Sequence, residues 1–346
     1  MRNFKKVIIS MISILMIFII CSACILEPYL HSETWYYQDS NLRDTLKGKI
    51  DYLSIGASNS LCAINPQILD SEFGCFSYNL SGSLMTLDAR YFLLKKEIER
   101  NPVKTVIIDM SYETLTRIES EEHAEGNSVT FAKLDSLSER MKFLIQSVPL
   151  NDWPYIYTYH FLPDGLEYAI GIIRGNVKPH NVEYSEKGFL PRKINNIEFS
   201  KKEAVEQHNS KQLNTNFRKQ NQKKLEKIIE LCKKNKINII LAVAPVSDTR
   251  IWEETEQDKF LDYAKKFSKK QECVFLDFNL LKNRYELFND KESFFDVQHM
   301  SEKGANIFTK EFCNIIKKSE TEDVSKYFYD SYEDMKKDSP YMKYLN

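Results

Sequence analysis

The strongest constraint on this chain is an alternation, starting at Lys49, of short apolar runs with longer amphipathic segments. The apolar runs are Ile50–Gly56, Cys75–Leu80, Lys104–Met110, Ile237–Pro245 and Cys273–Phe278. Helical periodicity marks Thr86–Arg100, Asn221–Lys234, Glu254–Lys270 and Glu302–Lys317. Strands that alternate with helices of this length predict a parallel sheet covered on both faces. Val106-Ile107-Ile108 and Ile239-Ile240-Leu241-Ala242-Val243 are apolar without interruption, as central strands between two helical layers should be.

The N-terminus obeys a different rule. Arg2, Lys5 and Lys6 precede an uncharged run, Val7–Leu26, of about 20 residues, enough to cross a bilayer. Basic residues before the run favour a cytoplasmic N-terminus with the rest of the chain outside. The expectation is a single-pass anchor in the cytoplasmic membrane carrying an extracytoplasmic domain. Secretion after signal cleavage is the alternative. Cys21-Ser22-Ala23-Cys24 faintly resembles a lipoprotein cleavage site, but Cys21 stands where leucine is usual.

These boundaries divide the chain into a stub and anchor (1–26), a connector (27–47), an α/β domain (48–318) and a charged, tyrosine-rich tail (319–346). Trp35, Tyr36 and Tyr37 in the connector suit either a membrane–water interface or packing on the domain. Between the third and fourth strands lies an insertion, at about 115–220, too long for one crossover. Its Trp153, Tyr155, Tyr157, Tyr159, His160 and Phe161 suit local core packing better than a sugar platform.

The formal net charge is −1, and no basic patch argues for nucleic-acid binding. Lys223-Lys224 and Lys233-Lys234 belong to a solvated helix face. Of the seven cysteines, five lie outside the apolar run and show no paired spacing. No disulfide framework and no zinc motif follow. Cys75 and Cys273 read as buried small hydrophobes.

Two stretches carry chemistry. The first strand ends in Gly56-Ala57-Ser58-Asn59-Ser60, small and turn-prone residues that allow a sharp turn. At the carboxyl end of a parallel strand such a turn opens its side chains to a ligand. Ser58 is the candidate nucleophile. The structural alternative is a polar turn with Ser58 or Ser60 as an N-cap. The second stretch is Phe294-Phe295-Asp296-Val297-Gln298-His299-Met300-Ser301. Ser301 suits the N-cap of the helix that follows, which leaves Asp296 and His299 in the entering loop. A carboxylate three residues away can hold an imidazole in one tautomer and stabilise its charged form. The structural alternative is a solvated turn whose side chains bond only local backbone. Asp296 and His299 are too few ligands for a metal, and no cofactor is implied.

Together, Gly-x-Ser after an early strand and Asp-x-x-His before the last helix resemble the SGNH (GDSL-type) hydrolases. Asp296 to Ser301 with Gly304-Ala305 is similar to that family's last block, and the resemblance spans about Lys49 to Lys317. It implies a flavodoxin-like three-layer α/β/α fold with Ser58 as nucleophile, His299 as base and Asp296 as its orienter. It also implies an oxyanion hole from the backbone N–H groups of Ser58 and Gly82, the latter within Tyr78-Asn79-Leu80-Ser81-Gly82-Ser83. The third block departs from the family. Where Gly-x-Asn-Asp is expected, this chain has Asp109-Met110-Ser111-Tyr112-Glu113, with Ser111 as a weak substitute donor. Loss of one such donor lowers turnover by about two to three powers of ten.

Membrane-anchored relatives with a weakened third block occur in cell-envelope acylation. This chain looks similar to the D-alanine transfer proteins of teichoic acids and to polysaccharide O-acetylation proteins, which work beside a membrane-bound O-acyltransferase. The implied activity is that of an O-acyl esterase or acyltransferase on a cell-surface glycan. The alternative is a non-catalytic envelope protein of the same fold that binds polysaccharide or such a partner.

Overall fold

The computed structural model describes residues 2–21, 35–117, 119–159, 170–171, 174, 186–194, 217–254, 256–340 and 342. The chain divides into two compact units, Leu46–His123 with Tyr184–Asn346, and Met1–Thr45 with Ala124–Glu183.

The larger unit is α/β. Its sheet holds five strands, all parallel: β1 (Tyr52–Ile55), β2 (Ser77–Asn79), β3 (Thr105–Asp109), β4 (Asn238–Val243) and β5 (Val274–Asp277). They run in the order β2-β1-β3-β4-β5, which is the flavodoxin-like order. Each strand falls inside one of the five apolar runs. The chain reverses its direction of growth between β1 and β3, and a crevice opens there at the carboxyl ends of the strands.

The two-residue period of the strands sorts side chains between the two faces. Ile107, Ile240, Ala242 and Leu276 join a core completed by Phe308, Phe312 and Ile315 of the helix Glu302–Ser319. Val106, Ile108, Ile239 and Leu241 alternate with these and are also buried. The helix Lys219–Lys234 lies against β4 and packs on the helix Leu87–Arg100. Both helices carry buried leucine or isoleucine at helical spacing, Leu93 and Leu94 on one and Leu225, Ile228 and Ile229 on the other. The sheet is therefore covered on both sides, as its apolar central strands require.

Glu254 was expected to open a helix ending at Lys270. It lies instead between two helices, Asp248–Glu253 and Gln257–Lys270. The break has a backbone cause: Glu256 is left-handed, at φ 59°. The tail is ordered over Tyr332–Lys337, with Tyr332 and Met335 buried beside Ile251, Leu261 and Leu280. Cys62, Cys75, Cys232, Cys273 and Cys313 are free thiols.

The smaller unit joins the connector to the insertion. Its helices are Arg2–Cys21, Trp35–Thr45, Glu119–Ala132 (in part), Leu137–Ser147 and Trp153–Tyr159. Asp39 bonds Arg43 Nε at 3.0 Å and lies 3.7 Å from Lys133 Nζ, and all three side chains are buried. Trp153 donates to the Val148 carbonyl, and Tyr157 packs edge-on against Phe131 at 5.1 Å. These two aromatic residues serve local packing, while Tyr155 is exposed. His160, Phe161 and the side chains of Trp35, Tyr36, Tyr37 and Tyr159 lie outside what is described.

Among the described residues no helix is long and apolar enough to cross a membrane. The run Val7–Leu26 extends past them, beyond Cys21.

Candidate active site

β1 ends at Ile55, and the chain turns through Gly56 and Ala57 directly into the helix Ser58–Ala63. The turn is tight because Gly56 has no side chain. A Cβ there would stand 2.5 Å from both Asp109 Cβ and Ser60 Oγ. The N-cap is Ala57, so Ser58 is the first helical residue and its hydroxyl caps nothing. Asn79, at the end of β2, braces the helix from below. Its amide donates to the carbonyls of Ser60 and Ile64, each at 2.9 Å.

The second stretch arrives from the far end of the chain. Phe294 and Met300 pair as an antiparallel bridge, which folds Phe295–His299 into a tight loop. Asp296 Oδ1 accepts the backbone N–H groups of Gln298 and His299, each at 2.8 Å. Ser247, after β4, donates its N–H and its hydroxyl to the Val297 carbonyl. Ser301 then caps the helix Glu302–Ser319 by accepting from the Gly304 N–H.

These two loops bring the candidate residues together across 241 positions of sequence. Ser58 Oγ lies 2.8 Å from His299 Nε2. His299 Nδ1 lies 2.8 Å from Asp296 Oδ2 and 3.0 Å from Oδ1. With the ring proton on Nδ1 and donated to Asp296, Nε2 is left to accept from the Ser58 hydroxyl. Burial of Asp296 opposes its charge, but hydrogen bonds from His299 and the loop N–H groups outweigh it and hold its carboxyl below the usual range. It is an anion at neutral pH. Cys62, one helical turn beyond Ser58, is buried and pushed up to about 11, so it stays a thiol at neutral pH.

The expected oxyanion donors are placed less favourably. The Ser58 N–H sits in the first helical turn, where no intrahelical acceptor exists. The Gly82 N–H donates to the Gly56 carbonyl at 3.3 Å. Ser111 stands at the N-cap position of a short helix, Tyr112–Thr116, without capping it, and its hydroxyl is held by Asp109 Oδ2 at 3.4 Å and Thr114 Oγ1 at 3.1 Å. Arg90 bonds the same cluster, 3.4 Å from Asp109. Ser111 is thus tied into an end-of-strand network, and its N–H is taken by Asp109 Oδ1.

Two cavities meet at Asn59, the residue after Ser58. One runs past Ala57, Leu84, Met85 and Leu87. The other runs past Gln298, Tyr112, Glu254 and Gln257. Asn59, Gln298 and Gln257 were not singled out from sequence. Asn59 and Gln298 are chain neighbours of Ser58 and His299 and could have been found that way; Gln257 had no local signal. Arg192, from the second half of the insertion, accepts the Glu302 N–H with its carbonyl and lays its guanidinium 5.1 Å from the centre of the Phe295 ring. Among the described residues no group of three or more His, Cys, Asp or Glu could hold a metal.

No family profile and no curated protein matches the chain. Solved structures similar to it include a protein from Desulfitobacterium hafniense DCB-2, described as a lipolytic protein of the G-D-S-L family. It is 12% identical, with a TM-score of 0.37, over 76% of this chain and 98% of that one. Another, from Bacteroides fragilis NCTC 9343 and described as an acylhydrolase, is 9% identical, with a TM-score of 0.39, over 83% of this chain and 98% of that one.

Proposed function

We propose that the chain is a serine O-acyl esterase or acyltransferase of SGNH type, acting on an acylated cell-surface glycan. The observation that carries this is the 2.8 Å contact of Ser58 Oγ with His299 Nε2, with Asp296 on the other ring nitrogen. Ser58 Oγ attacks the ester carbonyl while His299 Nε2 takes its proton. The ester C–O bond breaks, and the leaving alkoxide receives that proton from His299. The acyl group is then an ester of Ser58. Water or a sugar hydroxyl attacks its acyl carbon and gives its proton to Nε2; the acyl–Oγ bond then breaks, Nε2 returns the proton to Ser58 Oγ, and the free acid or the new ester leaves. Asp296 holds the imidazole in position and stabilises its charged form in both halves.

With Gly82 and Ser111 hydrogen-bonded elsewhere, stabilisation of the oxyanion rests on the Ser58 N–H and on any movement that frees Gly82. Turnover on simple esters should therefore be slow, by about two powers of ten or more relative to a full set of donors. The uncharged run Val7–Leu26 supports membrane anchorage with the catalytic unit outside. The exposed side chains of Val7, Ile9, Met11, Ile14 and Ile17 on the Arg2–Cys21 helix favour the same reading. A membrane-bound acyltransferase is a fitting partner for such an arrangement.

The test is fluorophosphonate labelling and acetate release by the full chain in membranes, compared among the unmodified protein, Ser58→Ala, His299→Ala and Ser60→Ala. Labelling and turnover should vanish in Ser58→Ala and nearly so in His299→Ala, and survive in Ser60→Ala. Protease added to spheroplasts should remove the labelled domain. Undiminished labelling of Ser58→Ala would sink the nucleophile assignment, and a protease-protected domain would sink the topology. An unmodified protein that neither labels nor turns over esters leaves the glycan-binding reading as the better one, supported by the two engaged oxyanion donors.

A further inference from the structure

The segment 187–192, in the second half of the insertion, touches both loops that carry the reacting pair. It starts at Lys187, which pairs with Asp70. Gly188 follows at φ 82°, and a Cβ there would stand 2.0 Å from the Asn79 carbonyl oxygen. Only glycine lets the chain come so close to the end of β2. Phe189 is 2% exposed and shares a core with Ala63, Ile64, Phe294 and Met300. Leu190 donates its N–H to the Leu61 carbonyl at 3.1 Å, and the Arg192 carbonyl accepts the Glu302 N–H at 2.8 Å. The segment thus leads from β2, past the helix Ser58–Ala63, to the start of the helix Glu302–Ser319.

The Arg192 side chain completes this link. Its guanidinium lies 5.1 Å from the centre of the Phe295 ring and hydrogen-bonds the Cys62 thiol. Cys62 is one helical turn beyond Ser58, and Phe295 directly precedes Asp296. Phe295 also donates its N–H to the His299 carbonyl at 2.8 Å, which closes the catalytic loop. One guanidinium therefore touches a residue of each loop. A planar cation over an aromatic ring adds an electrostatic attraction that a hydrocarbon side chain lacks.

Other contacts hold the same two helices together, but at a different level. Thr309 Oγ1 donates to the Ala63 carbonyl and accepts the Asn65 N–H, each at 3.0 Å. Thr309 lies about two turns beyond Glu302, at the end of the Ser58 helix remote from Ser58. It fixes helix against helix and leaves the loop of Asp296 and His299 free to shift. We propose that Arg192 is a positioning residue for acyl transfer: it holds that loop against the helix that begins at Ser58, so that the insertion sets the separation of Ser58 and His299. The effect on rate rests on the esterase reading; the hold on the loop does not.

The test uses the full chain in membranes, with p-nitrophenyl acetate as the substrate probe and amide hydrogen exchange as the probe of the loop. A catalytic group displaced by about 1 Å costs on the order of a hundredfold in rate. Arg192→Ala should lower kcat by about tenfold to a hundredfold and leave KM within about twofold, since Arg192 acts through the loop and not on the ester. Exchange at the Phe295 and His299 amides should quicken, while exchange in β3 and β4 stays as in the unmodified protein. Arg192→Lys keeps the charge but not the planar stack, and should recover part of the lost turnover.

An undiminished kcat in Arg192→Ala overturns the proposal. So does a raised KM with kcat unchanged, which would make Arg192 a substrate contact, and so does equal quickening of exchange in β3, β4 and the loop, which would make it a general packing residue. Where Arg192→Ala does not fold, Arg192→Lys decides, and an undiminished kcat in that variant overturns the proposal. Turnover by the unmodified protein with unchanged loop exchange in Arg192→Ala defeats the positioning role alone. Quickened loop exchange in Arg192→Ala, with neither labelling nor turnover in the unmodified protein, defeats the esterase alone.

Discussion

At the scale of single residues, the site depends as much on what is missing at Gly56 as on what is present at Ser58. Asp109 Cβ and Ser60 Oγ each stand 2.5 Å from where a Cβ on Gly56 would lie. Asp109 cannot give way cheaply, because Ser111, Thr114 and Arg90 all hold its carboxylate. Gly56→Ala should therefore separate β1 from β3 at this end and move the Ser58 turn with it. The expected loss is about 1–3 kcal/mol of stability, as for other overpacked sites, with slower labelling of Ser58. A denaturant titration with unchanged midpoint would contradict this. Ser58 itself was legible because the Gly-x-Ser spacing is local. The engagement of Ser111 was not, because the hydroxyl's choice between an oxyanion and Asp109 depends on where Thr114 and Arg90 lie.

At the scale of elements, the five strands were legible because apolar runs long enough for a buried strand leave little alternative. Helix starts were less so: the periodicity that begins at Glu254 is broken by the left-handed Glu256, and the helix starts at Gln257. Connector and insertion gave no sign that they would share a unit. One link is Asp39, which meets Arg43 from its own helix and Lys133 from the insertion, all buried; Ser40 and Arg43 also reach Asp135. Burial lowers the Lys133 ammonium from its ordinary range, and Asp39 works against that shift. Removing one member of a buried ion group leaves the others uncompensated, a loss of about 3–5 kcal/mol. Asp39→Ala should thus loosen the smaller unit, seen as faster amide exchange across Leu137–Ser147, while exchange in β3 and β4 stays slow. Equal acceleration in both units would show that Asp39 plays no such local part.

At the scale of the whole molecule, buried carboxylates should shape stability against pH. Burial raises Glu254 to about 7 and Asp277 to about 6, the latter despite hydrogen bonds from Tyr332 and Asn279. Both hold a proton more tightly folded than unfolded. Their contribution is complete below the unfolded values, near pH 4, and is lost as pH rises through about 6 to 7. Asp296 has the opposite sign, since its folded value is depressed. It contributes above pH 4 or so and loses that contribution at lower pH. Stability should accordingly peak in mildly acid solution and decline by neutrality, by an amount on the order of 2 kcal/mol for Glu254. Glu254→Gln should flatten the decline between pH 5 and 8, read from urea midpoints at each pH. An unchanged slope would show that Glu254 titrates alike in both states.

The sequence by itself determined the parallel α/β architecture and the two loops that bear Ser58 and His299, for one physical reason. Strand runs, helix periods, the Gly-x-Ser turn and the Asp-x-x-His loop are each set by neighbours within about a dozen residues. Tertiary structure alone decided whether those loops meet, because Ser58 and His299 are 241 positions apart and only the sheet order brings β1 beside the last loop. It alone decided which hydrogen bonds Gly82 and Ser111 make. It also assembled the cavity of Asn59, Gln257 and Gln298, whose lining comes from segments after β1, β3, β4 and β5 and from the tail through Tyr332. Hydrogen-bond satisfaction and burial are properties of the packed molecule. No stretch of this chain states in advance that Gln257 will be enclosed with one acceptor to spare.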